Sequence, residues 1–322
     1  MRILCLHGNG MNGTLLGVQT AAFRRLLGDG HEYTFLDGQL ESDCVIGLEK
    51  VSKGPYYRWN IGLASSEILA AHEYIRTVIE EEGPFDGVMG FSQGSALAAS
   101  MLLQHEIDHP KSPPPFRFAI FFSCFLVVSP DAKFAQKYYE IGEKDHVDAA
   151  LEGLHASAPS SDASGKPGDG KGDKKKKEVK GPTHKVELVR SSKRAALVTE
   201  IVDAVASSAR TGTSFHGKVG TDLPEDEREG LDGFPRVFHP VIMSERIEIP
   251  TVHIVGRNDP YMKQTDIAKR LWEKKSMRYV EHSGAHDTPR LEMDVKAAVA
   301  AAQWAMQQAE LSPKRHFHFH RK

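Results

Sequence analysis

Ser92, Asp259 and His286 are the side chains whose types, order and surroundings point most directly to chemistry in this sequence. A serine hydroxyl attacks a carbonyl poorly until a base takes its proton. An imidazole can act as that base near neutral pH, and a carboxylate behind it can fix its tautomer and stabilise its charged form. Ser92 stands at the centre of Gly90-Phe91-Ser92-Gln93-Gly94, a G-x-S-x-G pattern. In a nucleophile elbow of this kind the serine occupies a sharp, strained strand-to-helix turn that lifts its hydroxyl clear of a sheet. Glycines two residues to either side let strand and helix backbones approach where a Cβ would intrude. The pattern alone is weak, and a glycine-rich turn without chemistry is its rival reading. Its weight comes from the flanks: the apolar run GVMGF leads in and the helix-forming run SALAASMLL leads out.

Elbow serines of this type are followed along the chain first by an acid and then by a histidine. Asp259 lies in GRNDP, directly after the apolar stretch TVHIV, and His286 lies in HSGAHD, after RYVE. Catalytic groups on open α/β sheets collect beyond the C-terminal ends of the strands, which suits both positions. Since the chain carries 16 histidines, placement rather than residue type must choose among them. His282, nearer its strand, is the competing base. Asp287 and Asp266 are the competing acids, the first beside His286 and the second inside a helical pattern.

The negative oxygen of a tetrahedral intermediate needs two N–H donors. One is the backbone N–H of the residue after the nucleophile, here Gln93. The other should come from the loop after the first strand, HGNGMNG, where the backbone N–H of Asn9 is the candidate. The same loop admits a rival reading. Gly8, Gly10 and Gly13 match the spacing of a nucleotide-binding G-x-G-x-x-G, with Asp37 as the one available ribose-binding acid. That reading leaves Ser92, Asp259 and His286 without a role.

Positioning these groups requires alternating strands and helices. Short apolar runs at residues 3–6, 33–36, 87–91, 118–123, 251–255 and 278–281 read as strands. Helical periodicity covers 14–27, 65–82, 95–105, 263–272 and 292–308. The alternation implies a mostly parallel sheet with helices on both faces. Because sheet-forming pieces flank a long interruption at 143–235, the chain reads as one domain over 1–322 carrying an insertion. Within the insertion, residues 156–182 are low in complexity and expected to be disordered. Its lysine run, 174–177, is either a solvated linker or a localisation or polyanion signal. Residues 193–208 read as one further helix that could help cover a site. The end, 311–322, reads as a flexible tail. Its alternating His316, His318 and His320 offer at most a weak metal site.

Composition removes other classes. A net charge of −2 gives no overall field towards nucleic acid or anionic membrane. Cys5, Cys44 and Cys124 cannot all pair and form no C-x-x-C, which suits a reducing compartment. No apolar run reaches the roughly 18 residues of a membrane span. The chain is therefore expected in the cytoplasm, without membrane insertion, metal or cofactor.

Taken together, MRILCLHGNG, LGDGHEYTFLDG, GPYYRW, FDGVMGFSQGSALAA, FFSCF, IPTVHIVGRNDPY and EHSGAHDTPR resemble the fungal serine hydrolase (FSH) family of α/β hydrolases. The resemblance implies the α/β-hydrolase fold and carries that family's triad onto Ser92, Asp259 and His286. It also implies cleavage of an ester or thioester in secondary metabolism. The acyl or polyketide chain would be released from the acyl carrier domain of a polyketide synthase, as thioesterases of the family do. A general small-molecule carboxylesterase and a non-catalytic scaffold are the alternatives. Tyr56, Trp59 and Cys124 are candidate pocket residues, Cys124 standing where the family commonly has glycine. Ala285 likewise replaces a glycine, and the long insertion departs from the family's shorter connection.

Overall fold

A computed structural model of the protein describes residues 1–45, 53–135, 196–197, 199–204 and 235–312. The expected disordered stretch, the lysine run and the histidine-rich tail lie outside these residues. The first strand, β1 (Arg2–Leu6), is followed by helices α1 (Gly13–Gln19) and α2 (Ala21–Leu27) and by β2 (Glu32–Leu36). A two-stranded antiparallel pair, β3 (Leu40–Glu41) and β4 (Tyr57–Arg58), comes next. Then follow α3 (Ser65–Glu82), β5 (Gly87–Phe91), α4 (Gln93–Asp108) and β6 (Phe118–Phe122). Beyond the insertion stand β7 (Thr251–Gly256), α5 (Met262–Ala268), β8 (Met277–His282) and α6 (Glu292–Leu311).

Six strands form one sheet in the order β2-β1-β5-β6-β7-β8, every pair parallel. Parallel pairing puts all six C-terminal ends on one edge. Side chains alternate across the pleat, so neighbours in one strand serve opposite layers. Leu4 and Leu6 pack under α3 and α4, while Ile3 and Cys5 face α1, α2 and α6. Both faces are thus covered, and β5 and β6 are buried along their whole length. This is the α/β-hydrolase architecture expected from the sequence, with strands from both sides of the insertion in one sheet.

Helix α3 spans the periodic segment, burying Ile68, Ala71, His72, Ile75 and Ile79 on one stripe. Pro84 lies just past its end, since a proline ring and missing N–H cannot extend a helix. Helix α4 is buried almost all round because it lies between the sheet and α3. The continuous helix expected over 14–27 is instead two short helices broken at Thr20, whose hydroxyl donates to Leu16 O at 2.7 Å. Both pieces keep the same apolar face, so periodicity could not reveal the break. The segment expected as a helix over 193–208 is helical at 199–204, with Leu197, Ile201 and Ala204 buried against the α3–α4 layer. Among the described residues no helix is long and apolar enough to cross a membrane.

Candidate active site

Strand β5 ends at Phe91 and α4 begins at Gln93, leaving Ser92 as the whole of the turn. Ser92 has φ 53° and ψ −116°, a region that side-chain-bearing residues rarely enter. The strain is held by neighbours: Ser92 N–H donates to Phe122 O at 2.9 Å, and Ser92 O accepts from Ala96 N–H. The flanking glycines are required by space. A Cβ on Gly90 would lie 2.6 Å from Ser95 Cα, and one on Gly94 would lie 2.2 Å from Leu6 O.

Neighbouring strands supply the rest. Asp259 follows β7 on the turn GRND, where its N–H donates to Gly256 O. His286 follows β8. Its Nδ1 lies 2.9 Å from Asp259 Oδ2 and 3.1 Å from Oδ1, and its Nε2 lies 2.8 Å from Ser92 Oγ. An ionised carboxylate only accepts, so Nδ1 carries the proton and the Nε2 lone pair faces the serine hydroxyl. The imidazole sits between the rings of Phe91, 5.3 Å away, and Tyr261, 4.7 Å away. Asp259 is buried, and burial alone would push its carboxyl up. The hydrogen bond and charge of His286 outweigh this, aided by the Tyr261 N–H and by the buried Ser123 hydroxyl, which has no other acceptor among the described residues. The carboxyl is left below its ordinary range.

The competing residues are occupied elsewhere. His282 Nδ1 accepts from Gly284 N–H and its Nε2–H donates to Asp287 O, each at 3.1 Å. Asp287 accepts from Gln19 Nε2 and pairs with Arg290. Asp266 pairs with Lys269 on the surface.

The loop after β1 lies against β5, Gly8 packing on the Phe91 ring. Gly10 and Met11 N–H groups donate to Tyr57 O, and Gly13 N–H donates to Asp37 Oδ1. A phosphate cradle needs those amides free, so the nucleotide reading does not fit. Among the described residues the N–H groups of Asn9 and Gln93 are engaged by no protein acceptor. Of the candidate pocket residues, Trp59 is buried behind the β1 loop, its indole N–H donating to His7 O at 2.8 Å. Tyr56 packs against the α1–α2 layer. Cys124 is fully buried, its thiol turned to Phe125 O, and burial pushes that thiol's pKa up. Next to Gln93 lies a narrow recess lined mainly by Leu63, Ala96, Leu97, Phe125 and Leu126.

Sequence reasoning missed Ser123 and Tyr261. Ser123 directly follows β6 with φ 51°, as Ser92 follows the paired β5, and nothing in FFSCF signals a second left-handed serine. Tyr261 was within reach, because a residue two beyond an aspartate commonly donates its N–H to that side chain.

The family model described as serine hydrolase (FSH1) matches residues 1–156 and 175–298. The chain belongs to that family. Esterase alnB of Emericella nidulans is 33% identical over 311 residues, covering 96% of this chain and 98% of that protein. Hydrolase FUB4 of Fusarium oxysporum f. sp. lycopersici is 29% identical over 296 residues, covering 90% and 92% respectively. A carboxylesterase structure from Mesorhizobium loti superposes with a TM-score of 0.42 at 12% identity, over 94% of this chain and 87% of that one. This FSH1-family chain is thus a serine hydrolase with esterase-named relatives.

Proposed function

We propose that the protein hydrolyses an ester or thioester of an acyl chain through an acyl-enzyme on Ser92. One observation carries the reading: a hydroxyl, an imidazole and a carboxylate from three strand ends stand in hydrogen-bonded series. In the first half, His286 Nε2 takes the Ser92 proton as Oγ bonds to the substrate carbonyl carbon. The developing imidazolium is stabilised by Asp259, which stays ionised because its carboxyl lies below the ordinary range. The carbonyl oxygen becomes negative within reach of the Asn9 and Gln93 N–H groups. Gln93 is also the first residue of α4, where unsatisfied N–H groups and the helix dipole favour negative charge. Collapse expels an alcohol that takes its proton from His286, or a thiolate that leaves without help and then accepts that proton, so His286 is neutral again in either case. In the second half, water attacks the acyl carbon, His286 takes its proton, and Ser92 is returned.

Release of an acyl or polyketide chain from a carrier domain is the finer form of this proposal and rests on the family. The test compares turnover of short p-nitrophenyl esters with that of acyl thioesters on a carrier domain, for the native chain and Ser92→Ala. Hydrolysis of either substrate, abolished by Ser92→Ala in a folded protein, is expected. Turnover retained by Ser92→Ala would refute the assignment, and preference for the thioester would select the carrier.

A further inference from the structure

An oxyanion hole works only if two peptide segments aim N–H groups at one oxygen atom. Here the segments are the loop after β1 and the first turn of α4. The sheet fixes their roots but not their tips, since pairing between β1 and β5 ends at Leu6 and Gly90. Residues 57–60 span the tips. Tyr57 O accepts from Gly10 N–H at 3.0 Å and Met11 N–H at 3.3 Å, and Tyr57 N–H donates to Met11 O at 2.6 Å. The Trp59 indole donates to His7 O and lies against the His7 ring, centroids 5.0 Å apart. At the other end, Trp59 N–H donates to Gln93 Oε1 at 2.9 Å, and Gln93 Nε2 donates to Asn60 O at 2.9 Å.

The Gln93 side chain therefore grips the two outward groups of neighbouring residues, one as acceptor and one as donor. Of the uncharged side chains of this length and shape, a carboxamide alone supplies both. Gln93 is buried, so water does not compete for these bonds. We infer that Gln93 is a positioning residue: its side chain ties residues 57–60 to the elbow and so sets the placement of the Asn9 N–H relative to its own. This rests on the acyl-enzyme reading above. The strap acts on the oxygen only as it gains charge, so its loss should lower kcat and leave KM nearly unchanged. Misplacement by about 1 Å can cost ~10²-fold, and outright loss of one donor ~10²–10³-fold.

The test uses the full chain with Gln93→Met, which keeps length and loses both bonds, and Gln93→Glu, which loses the donor while ionised. Thermal melting, kcat and KM on p-nitrophenyl acetate, and the rate of Ser92 labelling by a fluorophosphonate are measured for each. Folded Gln93→Met should show kcat lowered ~10–100-fold and KM within about three-fold, with labelling slowed in proportion. The deficit of Gln93→Glu relative to the native chain should shrink as pH falls from about 8 towards about 5, because burial raises a carboxyl's pKa and the protonated form again accepts and donates. Labelling and turnover in Gln93→Met within two-fold of native would overturn the inference while leaving Ser92 in its role. Should that variant not fold, a Gln93→Glu deficit independent of pH would overturn it instead. A native chain that neither turns over nor becomes labelled would defeat the acyl-enzyme reading itself, and the inference with it.

Discussion

Two histidines, one ending β8 and one on the turn that follows it, show opposite uses of one side chain. His282 is 1% exposed and spends both ring nitrogens on main chain, accepting from Gly284 and donating to Asp287. Burial is the largest influence on it and pushes its pKa down, so it stays neutral. His286 is partly exposed and spends its nitrogens on a carboxylate and a hydroxyl. A ring fixed between two peptide groups can hold a turn but cannot move a proton. A ring between an acid and a nucleophile can. Sequence proximity says nothing of this difference; the partners decide it, and His282 ties its own ring to main chain on either side of His286.

Substitutions at these rings and their partners test that contrast. The largest effect is expected at His286. His286→Ala should lower kcat/KM on a chromogenic ester by ~10⁴–10⁶-fold with little change in melting temperature. A loss below about 100-fold would erase the distinction between the two rings. Asp259→Asn should follow at ~10⁴-fold, because an amide no longer demands a protonated Nδ1 and the serine loses its acceptor. Steady-state kinetics on the folded variant checks this. His282→Leu should reverse the pattern. It removes two part-buried hydrogen bonds and the imidazole packing that holds the turn, so denaturant titration should show the larger change and kcat the smaller.

A further prediction extends the contrast to the histidines of the core. Burial lowers the pKa of His72 and of His253 to about 3, against an unfolded value near 6.5. Between those values the unfolded chain binds protons that the folded chain refuses. Their contribution is therefore complete above about pH 6.5 and is lost as pH falls towards 3, by at most ~1.4 kcal/mol per pH unit for each ring. Among the described residues the ring nitrogens of His253 have no hydrogen-bond partner, and the ring packs edge-on to Trp272 at 4.3 Å. His253→Leu should flatten the acid limb of a stability–pH curve, and an unchanged limb would count against burial as its cause. The smallest effect is reserved for Asp266→Asn, a half-exposed partner of Lys269, where activity within two-fold and a stability change below ~1 kcal/mol are expected.

The elbow strand and the helix that covers it were legible in the sequence because each announces itself locally. GVMGF is wholly buried, α3 keeps strict periodicity through its 18 residues, and GFSQG sits at a strand-to-helix junction. The convergence of the three residues follows from parallel topology, which sends every strand end to one edge. The supports were not legible. The β3–β4 pair has two residues per strand, too few for alternation to show. The left-handed backbone of Ser123 leaves no mark in FFSCF, and the grip of Gln93 depends on groups of Trp59 and Asn60 that every residue possesses. Tyr56, Trp59 and Cys124 were singled out for their side chains, whereas Trp59 and Cys124 turn their polar atoms to backbone.

The central claim is that Ser92 becomes covalently acylated. Mixing the native chain with a p-nitrophenyl ester, quenching in acid within the first turnovers and mapping peptides by mass spectrometry tests it directly. The acyl mass should appear on the peptide containing Ser92 and be absent from His286→Ala. Burst release of p-nitrophenol with that peptide unmodified and the acyl group on another residue would contradict it.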